Sequence, residues 1–124
     1  MTRDILIVDD SPLNLKLCQT VLEVEGYHVR LAHDAEETFS AIDQARPDLI
    51  LMDIGLPGMD GLEITRRLKA REDTGDVPIV AVTGFAMKGD EERMLAAGCD
   101  GYLPKPLDIA RLIAVVKDHL DGRT

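Results

Sequence analysis

No apolar run in this chain approaches the ~18 residues that a membrane-spanning helix needs, so insertion into a bilayer is not expected. The first ten residues, MTRDILIVDD, turn acidic where a secretion signal would stay apolar and lead to a cleavage site. Cysteine occurs twice, as Cys18 and Cys99, in no C-x-x-C or Cys/His spacing, which leaves neither a zinc site nor a redox pair. Both read as small core residues. Cations are also short: 14 Lys and Arg against 23 Asp and Glu give a net charge of −9, a surface that repels nucleic-acid backbones. Internal repeats, low-complexity tracts and linkers are missing as well, and 124 residues fit one domain spanning 1–124. A soluble cytoplasmic protein is the expectation.

What is present is an alternation of short β-branched runs with amphipathic segments. Ile5–Val8 is apolar on both faces and too short for a helix, the mark of a buried strand. Ser11-Pro12 then supplies an N-cap and a proline at the first helical position. That helix is expected to bury Leu17, Cys18, Val21 and Leu22 and to stop at Gly26, with Leu13, Leu15 and Val24 near the stripe's edges, either partly buried or forming a docking ridge for a helical partner. Further strands are expected at 27–32, 49–52, 79–82 and 102–103. Further helices are expected from a cap at Asp34 to about Arg46, over 61–71, over 90–97, and from Asp108 with Ile109, Leu112, Ile113, Val116 and Leu120 on one stripe. Val115 falls off that stripe, on a potential output surface. Five strands alternating with five helices predict an α/β fold with a parallel sheet covered on both faces. Ligands of such sheets sit at the carboxyl ends of the strands.

Polar residues stand at those ends. Asp9 and Asp10 follow the first strand, Asp53 the third, Thr83 the fourth and Lys105 the fifth. Each alone has an ordinary explanation as a cap, a strand-end hydroxyl or a surface lysine. Together, each directly behind an apolar strand, they define one site. Like charges ~4 Å apart repel by roughly 4 kcal/mol at an effective dielectric near 20, so three carboxylates here call for a cation. Mg²⁺ suits an all-oxygen donor set, with a backbone carbonyl near Gly55 able to complete it. A carboxylate at such a metal can act as a nucleophile toward a phosphoryl group and give an aspartyl phosphate on Asp53. Lys105 would bind one phosphoryl oxygen as a point charge and the Thr83 hydroxyl another, while Gly84 leaves room for the incoming group.

The motifs LIVDD at 6–10, LILMDIGLPGMDG at 49–61, VAVTGFA at 80–86 and YLPKP at 102–106 resemble, in this order and spacing, the receiver domain of bacterial response regulators. The stretch FAMKGDEER at 85–93 is similar to the short single-domain members of that family. The resemblance covers essentially the whole chain. It implies a flavodoxin-like, doubly wound sheet of order 2-1-3-4-5. It also implies Asp10 as a direct Mg²⁺ ligand, Asp9 acting through water, Asp53 as acceptor, and Thr83 and Lys105 as readers of the phosphate. Tyr102 would be the switch aromatic and Lys105-Pro106 a cis peptide. Implied partners are a histidine kinase or a histidine phosphotransfer protein, and a downstream protein target. With no output domain after the last helix, output would be binding or relay. Gly84, where alanine is more usual, and Gly55, with no side chain, depart from the pattern and bear on the lifetime of the phosphorylated state.

Two other chemistries fit less well. A phosphatase of the haloacid dehalogenase type wants a second Asp at position 55, where glycine stands. A flavin carrier of the same fold wants a Ser/Thr/Gly-rich loop after the first strand, where Asp9-Asp10 would repel phosphate.

Overall fold

The computed structural model describes residues 2–55, 60–84 and 88–120, the backbone alone at 88–90. Its elements alternate strictly: β1 (Asp4–Val8), α1 (Pro12–Val24), β2 (His28–Ala32), α2 (Ala35–Gln44), β3 (Leu49–Asp53), α3 (Gly61–Ala70), β4 (Ile79–Thr83), α4 (Lys88–Ala97), β5 (Gly101–Pro104) and α5 (Ile109–Leu120). All strand pairs are parallel and the order is β2-β1-β3-β4-β5. The order reverses between β1 and β3, the point at which α/β sheets open a crevice for ligands.

The two-residue period of the strands divides the core. Ile5 and Ile7 of β1, Leu49 and Leu51 of β3, and Val80 and Val82 of β4 face Leu15, Cys18 and Leu22 of α1 and Leu112, Val116 and Leu120 of α5. The intervening Leu6, Val8, Ile50, Met52 and Ile79 face Ile42 of α2 and Ile64 and Leu68 of α3. A third cluster, Leu62, Ala81, Met94, Ala97 and Cys99, seats α4 against α3. With both faces covered, the central strands need no polar alternation, which is why they read as continuous apolar runs.

Capping follows the sequence closely. The Ser11 hydroxyl accepts the Asn14 backbone N–H and Pro12 opens α1. The Asp34 carboxylate accepts from Glu37 N–H at 2.8 Å, but Glu37 returns its own carboxylate to His33 N–H rather than to Asp34. Gly26, at φ 98°, ends α1 in the left-handed region that favours glycine.

The phase of α1 differs from the expected stripe. Leu15, Cys18 and Leu22, spaced i, i+3 and i+7, form the buried line. Leu15 is only 1% exposed, so it belongs to the core and not to a docking ridge, whereas Leu13 is 79% and Leu17 39% exposed. Leu17 lies one residue, about 100° of rotation, from Cys18 and therefore turns outward. In α5, Ile109 is in line with Leu112 and Val116 but opens the helix and is exposed, while Val115 packs partly against the core instead of standing on the surface. The fourth helix starts at Lys88, two residues before the expected boundary.

Candidate phosphoryl-acceptor site

The polar residues arrive together because each ladder runs on for about one residue beyond its apolar strand. Asp9 N–H bonds Ala32 C=O, Ile54 N–H bonds Val82 C=O, and Lys105 N–H bonds Thr83 C=O at 2.7 Å. The side chains that follow are thus carried to the carboxyl edge of the sheet on a rigid frame. Asp9, Asp53 and Thr83 are buried there, and Asp10 is exposed.

Asp9, Asp10 and Asp53 each place a carboxylate oxygen within 4.8 Å of the others. Lys105 extends its Nζ to 3.3 Å from Asp53 Oδ1 and 4.0 Å from Asp9 Oδ2. The Gly55 N–H also donates to Asp53 Oδ1, at 2.9 Å. Asp9 is held by Ser11 N–H on Oδ1 at 2.8 Å and by the Asn14 amide on Oδ2 at 3.4 Å. Burial pushes the Asp9 carboxyl above its ordinary value; the Ser11 N–H pulls it down, the Asp53 charge raises it further, and Lys105 and Asn14 lower it. Among the described residues Lys105 stands against Asp9 and Asp53 while Asp10 adds a third carboxylate, which leaves an excess of negative charge in a partly buried pocket. Three hard oxygen donors, two buried and one open to solvent, fit Mg²⁺.

Two features of the site are given no role in the sequence reading. Asn14 reaches Asp9 from the first turn of α1; its signal is the spacing, three residues after the cap Ser11 and so on the same side of the helix start. Gly61, the first residue of α3, packs against the acceptor's own backbone: a Cβ built there would stand 2.3 Å from Asp53 C=O oxygen. Asp60 caps α3 by accepting from Glu63 N–H, which fixes where that helix begins.

The family model for the response regulator receiver domain matches residues 5–117. The chain belongs to this family. The polar-differentiation response regulator DivK of Brucella ovis is 43% identical to it over 120 residues, 97% of this chain and 98% of that protein. The chemotaxis response regulator CheY4 of Vibrio cholerae has the same fold at TM-score 0.92 and 27% identity, over 97% of this chain and all of that one. The receiver domain of a sensor histidine kinase from Pseudomonas aeruginosa, described with a magnesium ion coordinated in its active-site cleft, aligns at TM-score 0.85 and 38% identity, over 94% and 96% of the two chains.

As a receiver domain of a response regulator, the protein works in two-component signalling, as the order and spacing of its motifs led one to expect. The flavodoxin-like topology is also as expected, and the Lys105-Pro106 peptide is cis. Tyr102 is half-buried on β5, opposite Ala81 and against the α3–α4 cluster. Phe85 and Met87, in the segment that follows Gly84, lie outside the described residues. Among the described residues no helix is long and apolar enough to cross a membrane.

Proposed function

We propose that Asp53 is the phosphoryl acceptor of this receiver and that phosphorylation controls its binding to other proteins. The observation that carries the reading is the acidic triad at the carboxyl edge with Lys105 at 3.3 Å from Asp53. In the proposed step an Asp53 carboxylate oxygen forms a bond to phosphorus while the bond from phosphorus to a donor histidine nitrogen, or to the acetate oxygen of acetyl phosphate, breaks. The freed imidazole or acetate carries away the electron pair. Lys105, already beside the carboxylate, follows the charge onto a phosphoryl oxygen, and the Thr83 hydroxyl bonds a second one.

Asp10, Asp53 and the Gly55 carbonyl would hold Mg²⁺, with Asp9 contributing through water. That assignment suits Asp9, both of whose oxygens already have protein donors. When bound, Mg²⁺ neutralises charge on the phosphoryl oxygens and orients the acceptor. The chain catalyses only its own phosphorylation and dephosphorylation; it turns over no separate substrate.

The donor is a histidine kinase or a histidine phosphotransfer protein. It would dock beside the site on the exposed Leu13 and Leu17 of α1, where a cleft of about 470 Å³ is lined by Asn14, Leu17, Lys105, Pro106 and Leu107. Residues 1–124 act as a single cytoplasmic receiver domain, in keeping with the nearly end-to-end match to DivK. Thr83 moving toward the phosphate and Tyr102 turning inward would pass the signal to the α4–β5–α5 surface and a downstream protein.

The test is intact-mass spectrometry after incubation with acetyl phosphate and Mg²⁺. One phosphoryl group should add to the wild type and none to Asp53→Asn. Equal labelling of both proteins would remove Asp53 from the mechanism.

A further inference from the structure

Asn14 belongs to no motif of the site, yet its side chain ends in it. Its backbone N–H is already used, closing the cap of α1 on the Ser11 hydroxyl. The side-chain amide is therefore dispensable to the helix, and it donates to Asp9 Oδ2 at 3.4 Å. The opposite oxygen, Oδ1, is held by the Ser11 backbone N–H, which no side-chain substitution at 14 removes. Oδ2 also has a cationic neighbour, Lys105 at 4.0 Å, and that lysine sits closer to Asp53, at 3.3 Å. Without the Asn14 amide, Asp9 Oδ2 would be free to turn and would compete with Asp53 for the lysine.

We propose that Asn14 is a positioning residue: by fixing Oδ2 of Asp9 it sets the attitude of this carboxylate toward the metal and keeps Lys105 beside the acceptor. The inference rests on the reading of the site as a Mg²⁺-dependent acceptor. Groups that orient metal-binding carboxylates typically carry about 10- to 100-fold of metal affinity.

The experiment follows the thermal midpoint and the Mg²⁺ Kd of wild type, Asn14→Leu and Asn14→Asp. Asn14→Leu keeps the branched shape and the cap but has no donor; its Mg²⁺ Kd should rise about 10-fold, with the metal-free midpoint little changed. Asn14→Asp keeps the shape but adds a fourth carboxylate; its metal-free midpoint should fall, and saturating Mg²⁺ should recover most of the loss. A wild-type Kd in Asn14→Leu overturns the proposal. So does an equal drop in midpoint with and without Mg²⁺ in both variants, because that is the mark of a purely structural residue. A wild type that binds no Mg²⁺ overturns the reading of the site itself and this inference with it.

Discussion

Replacing Gly61 by alanine tests whether the acceptor loop is held by close backbone packing. The glycine needs no left-handed φ, so the issue is space alone. An added Cβ would stand 2.3 Å from the Asp53 carbonyl oxygen, 2.7 Å from Ile54 Cα and 2.9 Å from the Asp53 carbonyl carbon. All three are backbone atoms, so no side chain can swing aside. Restoring ordinary contact requires α3 and the end of β3 to separate by on the order of 1 Å, and overpacking of that kind costs typically 1–3 kcal/mol. For a chain of this length each kcal/mol lowers Tm by roughly 4 °C. The displaced atoms belong to the acceptor residue, and misplacing a reacting group by about 1 Å can slow a reaction about 100-fold. Gly61→Ala should therefore lose several degrees in a thermal melt and label from acetyl phosphate at least tenfold more slowly. A variant with wild-type Tm and wild-type labelling rate would show that the helix and the acceptor loop separate without consequence, and the packing argument would fail.

Other substitutions probe other parts of the molecule. Asp10→Ala should raise the Mg²⁺ Kd by about 10-fold while raising the metal-free Tm, since it removes one of three mutually repelling carboxylates; an unchanged Kd in a titration would take Asp10 out of the metal site. Leu15→Ala should cost about 2–5 kcal/mol in urea unfolding, as for any fully buried leucine, whereas Leu13→Glu should leave unfolding unchanged and slow transfer from a phosphohistidine donor but not from acetyl phosphate. Thr83→Ala should accept phosphate yet lose most of the gain in partner affinity that beryllofluoride confers on the wild type, and Tyr102→Ala should do the same with less effect on labelling. Burial raises the Cys18 thiol to about 11, ahead of the Asp9 charge that adds to this and Lys105 that opposes it, and burial also raises Cys99. With the thiolate disfavoured, a disulfide reagent at pH 8 should react with the native protein roughly 100-fold more slowly than with the unfolded chain; comparable rates would show that one thiol is open.

The strands and the acceptor edge were legible in the sequence because burial on both faces writes itself as uninterrupted Ile, Leu and Val, and the polar residue ending each run is then conspicuous. Helix phase was less legible. In α1 the residues 13, 15, 17, 18, 21, 22 and 24 are all apolar, so the pattern admits more than one stripe. Only the packed structure selects Leu15 over Leu17. Asn14 and Gly61 stayed hidden for a different reason. The role of each depends on a contact with another segment of chain, Asn14 with the Asp9 carboxylate and Gly61 with the Asp53 backbone, and a single residue type carries no sign of that.

Several ion pairs among the described residues lie at the opposite end of the sheet from the acceptor. Arg30 grips Asp4 and donates to the carbonyls of Ala41 and Ala45. Lys69 bridges Asp100 and the Val77 carbonyl, and Arg46 and Arg71 join Asp76, Asp43 and Asp73. Opposite charges thus close one pole of the domain, while at the other three carboxylates crowd together beside Lys105. Added salt screens both, loosening the first pole and relaxing the second. The net response of the metal-free protein to ionic strength should accordingly be shallow, and the more revealing measurement is local: amide hydrogens near Asp4, Val77 and Asp100 should exchange faster as salt rises, while those at Ser11 and Gly55 exchange more slowly.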